Sequence, residues 1–190
     1  MNPSVVVTNS FLALVLIWVA VTFNTLVRLR NLCRESWSGI DTELKRRYEL
    51  IPNLVAVVQG YARHERETLE QVTAARNQAV ASTGSPNSQA KDENVLVGAI
   101  RQLVAVSEKY PDLKANDHFL RLMGELVNTE DRIQAARRFY NANVRDQNTR
   151  IGVFPSNLIA RSFAFTPEEY FEIEETGLRL APEVKMAATA

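Results

Sequence analysis

The chain has 190 residues, with 22 basic and 22 acidic side chains and a net charge of zero. That length suits one domain of ordinary size. The lack of a basic excess argues against a nucleic-acid partner, whose phosphates are met by Lys and Arg, and a lone cysteine, Cys33, excludes an intrachain disulfide.

Residues 5–23 read VVVTNSFLALVLIWVAVTF and carry no charge. As a helix this stretch is about 28 Å long, close to the hydrocarbon thickness of a bilayer. A cleaved signal peptide is the competing reading, but it calls for a basic leading region and a short apolar core. The leading residues here are MNPS, without Lys or Arg. Residues 1–27 are therefore expected to anchor the chain. Arg28, Arg30 and Arg34 follow the apolar run and nothing basic precedes it. The positive-inside rule then places the N-terminus outside and the rest in the cytoplasm.

From Cys33 to Ala79 the apolar residues recur at steps of three and four, the stripe of an amphipathic helix. Pro52 interrupts it. Proline removes one helical hydrogen bond, so the helix either bends there or stops and restarts in the opposite direction. Leu44, Ile51 and Val58 keep phase across it and no turn-forming cluster surrounds it, which favours a bend. Residues 81–92, ASTGSPNSQAKD, read as a connecting loop. A helix over 93–109 follows, with Leu96, Ile100, Leu103 and Val106 on one side, ended by Tyr110-Pro111-Asp112. Asp112 or Asn116 is placed to cap the next helix. That helix is expected over 113–150, with Phe119, Leu122, Leu126, Ile133, Tyr140 and Val144 as its stripe. Gly152 and Pro155 end it. Two short helices are expected near 156–161 and 167–175, with Ser156 and Thr166 as caps. Phe154, Phe163, Phe165, Tyr170 and Phe171 are dense there and are expected to fold back as a cover for the bundle. Residues 177–190 are expected to fray as a tail.

Four stretches carry a family likeness. Residues 37–72 (WSGIDTELKRRYELIPNLVAVVQGYARHERETLEQV), 108–116 (EKYPDLKAN), 125–148 (ELVNTEDRIQAARRFYNANVRDQN) and 154–160 (FPSNLIA) resemble the LemA family, and FEIEE at 171–175 matches more loosely. The resemblance implies a single-span bacterial membrane protein whose long-helix bundle, often described as four-helical, faces the cytoplasm. It extends to members tied to magnetosome membranes. It implies no catalytic residues, because no general activity is established for the family.

Charged residues on the apolar stripes are the candidate site. Glu65 falls between Val58 and Val72, and Glu130 and Arg137 fall between Leu126 and Val144, with Arg76 at the edge of its own stripe. Buried charge is costly unless paired, so either Glu65 and Glu130 meet Arg76 or Arg137 between helices, or these positions lie at the rim of the stripe. Such a network is either structural or, if wet and roomy, the lining of a small-ligand or catalytic pocket. Lys45, Arg46 and Arg47 form a basic run, which is either a candidate interaction surface or a set of groups that are solvated or paired within the bundle. Asn53, Asn128, Asn141, Asn143 and Asn148 are suited to capping and bridging. His64-Glu65 lacks a second histidine at position 68, which is Thr, so the helical zinc-protease spacing fails. No cofactor or metal is implied.

The expectation is an all-α chain: one N-terminal transmembrane helix (residues 1–27), an antiparallel long-helix bundle of three to four helices with short C-terminal helices (28–176), and a tail (177–190). The role expected is a scaffold or adaptor in the bacterial cytoplasmic membrane or an organelle membrane derived from it. Its partners would be the bilayer through residues 5–23, a membrane or cytoplasmic protein, and other copies of the chain, with no nucleic acid.

Overall fold

A computed structural model describes residues 3–173. They form six helices: α1 (Pro3–Tyr61), α2 (Arg66–Ala81), α3 (Pro86–Ser107), α4 (Pro111–Lys114), α5 (Asp117–Gly152) and α6 (Ser156–Ser162). There is no strand among the described residues. The protein is all-α, with an apolar N-terminal helix, a packed bundle and a short C-terminal helix. The chain divides into two units. Among the described residues, one unit joins 3–41 with 135–171, and the other joins 42–134 with 172–173. The expected tail at 177–190 lies outside the described residues.

In the unit formed by 42–134, the stripe read from the sequence is the core. Leu44, Ile51, Leu54 and Val58 of α1 are buried, as are Val72 of α2, Ile100 and Leu103 of α3 and Leu126 of α5. Each such side chain contributes about 1.5–3 kcal/mol through removal from water. Pro52 lies inside α1, and the helix does not reverse there. Because Pro52 has no N–H, the carbonyl of Tyr48 four residues back loses its helical donor. The Arg76 side chain supplies a replacement, Nε donating to that carbonyl at 3.2 Å.

The reversal falls at residues 62–65 instead, where the sequence suggested continuous helix over 33–79. Ala62 N–H still bonds the Val58 carbonyl (2.8 Å), and Glu65 N–H then bonds the Ala62 carbonyl (3.1 Å), closing a tight turn. Ala62 is fully buried while Arg63 and His64 face out. No Gly or Pro sits in the turn, and beyond it α2 runs back along α1, with Tyr48 Oη donating to the Ala79 carbonyl at 3.4 Å. The connector after α2 is also shorter than the 81–92 loop expected. Ser85 caps α3, its hydroxyl accepting from Ser88 N–H, and Pro86 occupies the first turn, a favoured start. At the start of α5, Asn116 Oδ1 accepts from Phe119 N–H at 2.9 Å, while residues 113 and 114 belong to α4 rather than to the long helix.

In the other unit, α6 forms where expected, but the described part of the helix expected over 167–175 is not helical: residues 163–164 turn and 165–173 take no regular structure. Two asparagines of α5 pin residues 168–171 of this segment. Asn148 Nδ2 donates to the Glu168 carbonyl and its Oδ1 accepts from Glu168 N–H, both at 2.9 Å. Asn141 does the same with the carbonyl and N–H of Phe171, both at 3.0 Å. The spacing explains the fit. Seven helical residues rise about 10.5 Å, and three extended residues cover about 10 Å. Tyr140 Oη adds a bond to the Glu169 carbonyl at 2.9 Å. Phe171 is thereby set edge-on to Trp37, with centroids 5.1 Å apart. Cys33 is buried in this unit. Burial first, then the Glu168 and Asp146 charges, push its thiol up to about 11, so it behaves as a small apolar residue.

Candidate functional site

The buried polar centre of the 42–134 unit is built from one residue on each of three stripes. Arg47 comes from α1, Glu93 from α3 and Glu130 from α5, and each is buried. Arg47 Nη1 donates to both carboxylate oxygens of Glu130, at 2.8 and 3.1 Å. Its Nη2 donates to Glu93 Oε2, and Tyr48 Oη donates to Glu93 Oε1. One guanidinium thus bridges two carboxylates, and the neighbouring phenol supports the second.

The electrostatics follow from this arrangement. Burial alone would lower the Arg47 pKa, but the Glu130 and Glu93 charges outweigh it and hold the guanidinium protonated. Burial raises the Glu93 carboxyl above its ordinary value, which Arg47 and the Tyr48 bond only partly offset and the Glu130 charge reinforces. Burial, then the Glu93 charge, also raises the Tyr48 phenol. The cluster carries more negative than positive charge when both carboxyls are ionised.

The residues picked from the sequence are distributed differently. Glu130 is in the cluster, where Arg47 holds its carboxylate. Glu65 is half-buried at the start of α2, where Tyr110 Oη donates to it at 3.4 Å. Arg76 serves the Tyr48 carbonyl and Asn77 Oδ1. Arg137 belongs to the other unit. Within the basic run, Lys45 and Arg46 are exposed, but Arg47 is 0% exposed and is not part of a surface. The spacing contained the signal: Ile40, Leu44, Arg47, Ile51, Leu54 and Val58 step by three and four. Glu93 was missed because residues 81–92 looked like loop. With the helix starting at Pro86, Ala90, Glu93 and Leu96 share a face.

Two open grooves border this unit. One, of about 520 Å³, is mostly polar and includes Arg46, Glu49 and Asn53 of α1 with Glu125, Asn128 and Arg132 of α5. The other, of about 740 Å³, lies between α1 and α2 and includes Val55, Gln59, Leu69 and Thr73. Among the described residues, no group of three or more His, Cys, Asp or Glu side chains is placed to hold a metal. His64 is exposed, and His118 Nδ1 lies 2.7 Å from Arg121 Nη2. An 18-residue window of α1 is long and apolar enough to cross a bilayer, and none of it is buried among the described residues.

An uncovered apolar helix and a bundle with a closed charge cluster define a membrane-associated helical-bundle protein. A model described as the LemA family matches residues 36–186. The chain belongs to the LemA family. It is similar to magnetosome protein MamQ 2 of Paramagnetospirillum magneticum, 27% identical over 82% of this chain and 66% of the relative. Magnetosome protein MamQ of Magnetospirillum gryphiswaldense is 25% identical over the same shares. Protein LemA of Metamycoplasma hominis is 28% identical over 80% of this chain and 69% of its own length. The chain thus spans about two thirds of the length of the magnetosome relatives it matches.

Proposed function

We propose that the protein is a single-pass, non-catalytic scaffold, held in the bacterial cytoplasmic membrane or an organelle membrane derived from it. Residues 5–23 cross the bilayer with the N-terminus outside, and the bundle works in the cytoplasm by protein contact. The observation that carries this reading is the apolar window of α1, in which no residue is buried and residues 5–18 are exposed. Such a surface requires a non-aqueous cover, and hydrocarbon supplies one. The arginines that follow it support the orientation, and the likeness to proteins named for the magnetosome supports a membrane role. The buried cluster supports a structural rather than a catalytic centre, because its carboxylates are engaged by Arg47 and Tyr48.

The contact surface is the polar groove formed by α1 and α5, where Arg46 and Arg132 alternate with Glu49 and Glu125. Its mixed charge suits a partner segment bearing both signs. Lys45 lies beside it in sequence; Arg47 does not contribute. A photo-crosslinking side chain at Asn53 or Asn128 in the membrane-embedded full chain should give discrete adducts that Arg46→Glu abolishes. The same side chain at exposed Arg101 should give none. Equal adducts at all three positions, or none at any, would refute the groove. Release of the chain by alkaline carbonate would refute the tether.

A further inference from the structure

The α5–α6 turn packs against the end of the apolar stretch of α1. Leu26, Ile159, Ala160 and Phe165 form a buried cluster joined by Val19 and Phe23. Phe163 packs against Phe23 with ring centroids 4.7 Å apart and the ring planes tilted by 57°. A cleft of about 180 Å³ between the two segments is lined by Trp18 and Val21 on one side and by Arg150, Val153 and Phe154 on the other. The turn therefore sits level with residues 18–25, at the end of the uncharged run. Its outer side is apolar and exposed: Phe154 is 78% exposed, Leu158 and Phe163 both 53%, and Val153 joins them.

Three further features suit this surface to lipid. Residues 147–167 contain two arginines, Arg150 and Arg161, and no acid, and both arginines are exposed. The turn also satisfies much of its own backbone, as a segment leaving water must. Val153 N–H bonds the Thr149 carbonyl and Asn157 N–H bonds the Val153 carbonyl, both at 2.9 Å. Ser156 Oγ donates to the Arg150 carbonyl at 2.7 Å, and Pro155 has no donor to satisfy. Finally, the apolar patch is continuous with the span through Trp18 and Val21.

We propose that this turn is a second membrane contact. Phe154 and Leu158, flanked by Val153 and Phe163, lie in the headgroup–acyl boundary of the leaflet from which α1 emerges, and Arg150 and Arg161 meet anionic lipid phosphates there. Aromatic side chains favour that boundary, and arginine holds phosphate through paired N–H groups. The turn then acts as a foot that fixes the tilt and rotation of its unit on the bilayer, which one spanning helix leaves free. The proposal rests on the reading of residues 5–23 as a span.

The test uses the full chain with Cys33→Ala, reconstituted in vesicles. An environment-sensitive fluorophore is attached at Phe154→Cys or, as a reference, at Leu14→Cys. Lipids carrying a nitroxide quencher near the headgroup or deep in the acyl chain report depth. The Phe154→Cys probe is expected to be quenched severalfold more by the shallow nitroxide than by the deep one, and the Leu14→Cys probe more by the deep one. A Leu14→Cys probe quenched by lipid beside a Phe154→Cys probe reached only by aqueous iodide overturns the foot and leaves the span standing. Loss of lipid quenching at Leu14→Cys alone refutes the span and leaves a surface-bound foot; loss at both positions removes both. Arg150→Gln with Arg161→Gln should reduce quenching at Phe154→Cys in vesicles containing phosphatidylglycerol but not in pure phosphatidylcholine. An equal effect in the two lipids overturns the role given to the arginines.

Discussion

The bond from Arg76 to the Tyr48 carbonyl makes a quantitative claim about how α1 tolerates Pro52. If the guanidinium replaces the N–H that proline lacks, Arg76→Met should matter only while residue 52 is proline. A hydrogen bond from a charged donor contributes about 1.5–3 kcal/mol. Arg76 is half-exposed, so water competes and the lower end of that range applies. In the Pro52→Ala background, residue 52 donates to Tyr48 itself, and Arg76→Met should cost about 0.5 kcal/mol, the size of an ordinary surface change. The coupling is therefore about 1 kcal/mol or more. Pro52→Ala alone should stabilise by less than the roughly 3 kcal/mol that separates proline from alanine inside a helix, because Arg76 already recovers part of that penalty. Urea unfolding of the four full-length proteins in mild detergent, followed by circular dichroism at 222 nm, completes the double-mutant cycle. Independent sites add within about 0.5 kcal/mol. A coupling inside that margin would show that water, not Arg76, serves the carbonyl.

The buried cluster makes two related predictions. Arg47→Met strands two carboxylates and should cost about 3–5 kcal/mol, whereas replacing Arg47, Glu93 and Glu130 together by apolar residues of similar volume should be near neutral or stabilising; thermal unfolding that finds the triple variant as weak as the single one would refute the cluster. Glu93→Gln keeps an acceptor for Tyr48 but cannot ionise. Folding raises the Glu93 pKa, so between the ordinary carboxylate range and that raised value the folded state binds more protons, and native stability falls as pH rises through this window. The stability of Glu93→Gln minus that of the natural chain should grow over the same window, and a constant difference sinks the assignment. Asn141→Ala removes both bonds to Phe171 and should raise amide exchange at residue 171 more than in the body of α5; uniform exchange would contradict the clamp. The Cys33 thiol, pushed up to about 11 and buried, should resist alkylation at pH 8 until the chain is unfolded, and fast labelling of the native chain would contradict its placement.

Much of this architecture was legible in the sequence, because helical periodicity is a local property. The uncharged run at 5–23, the stripes of α1 and α5, the stop at Tyr110-Pro111 and the cap at Asn116 depend on neighbours within one or two turns, and each was readable from residue spacing. So was the incompatibility of the stripes with unpaired charge, which pointed to Glu130. The Ser85-Pro86 start of α3 was equally local, yet the small polar residues around it resembled a loop, and Glu93 was lost with it. What spacing could not supply was the identity of contacts between residues distant in the chain. Arg47 and Glu93 are 46 positions apart, and Arg47 and Glu130 are 83 apart. A run of Lys45, Arg46 and Arg47 looks like surface until the helices pack and one of the three turns inward. The reversal at residues 62–65 and the strap at 168–171 have the same origin. Neither has a local signal strong enough to impose it; the first comes with the bonds that lay α2 back along α1, and the second with two asparagines one helical heptad apart. The sequence alone determined that the chain is helical and which faces of its long helices are apolar, since backbone hydrogen bonding and side-chain period act over a few residues. Tertiary structure alone decided which charges share the interior, because that choice is set by desolvation and pairing among groups that only the folded chain brings together.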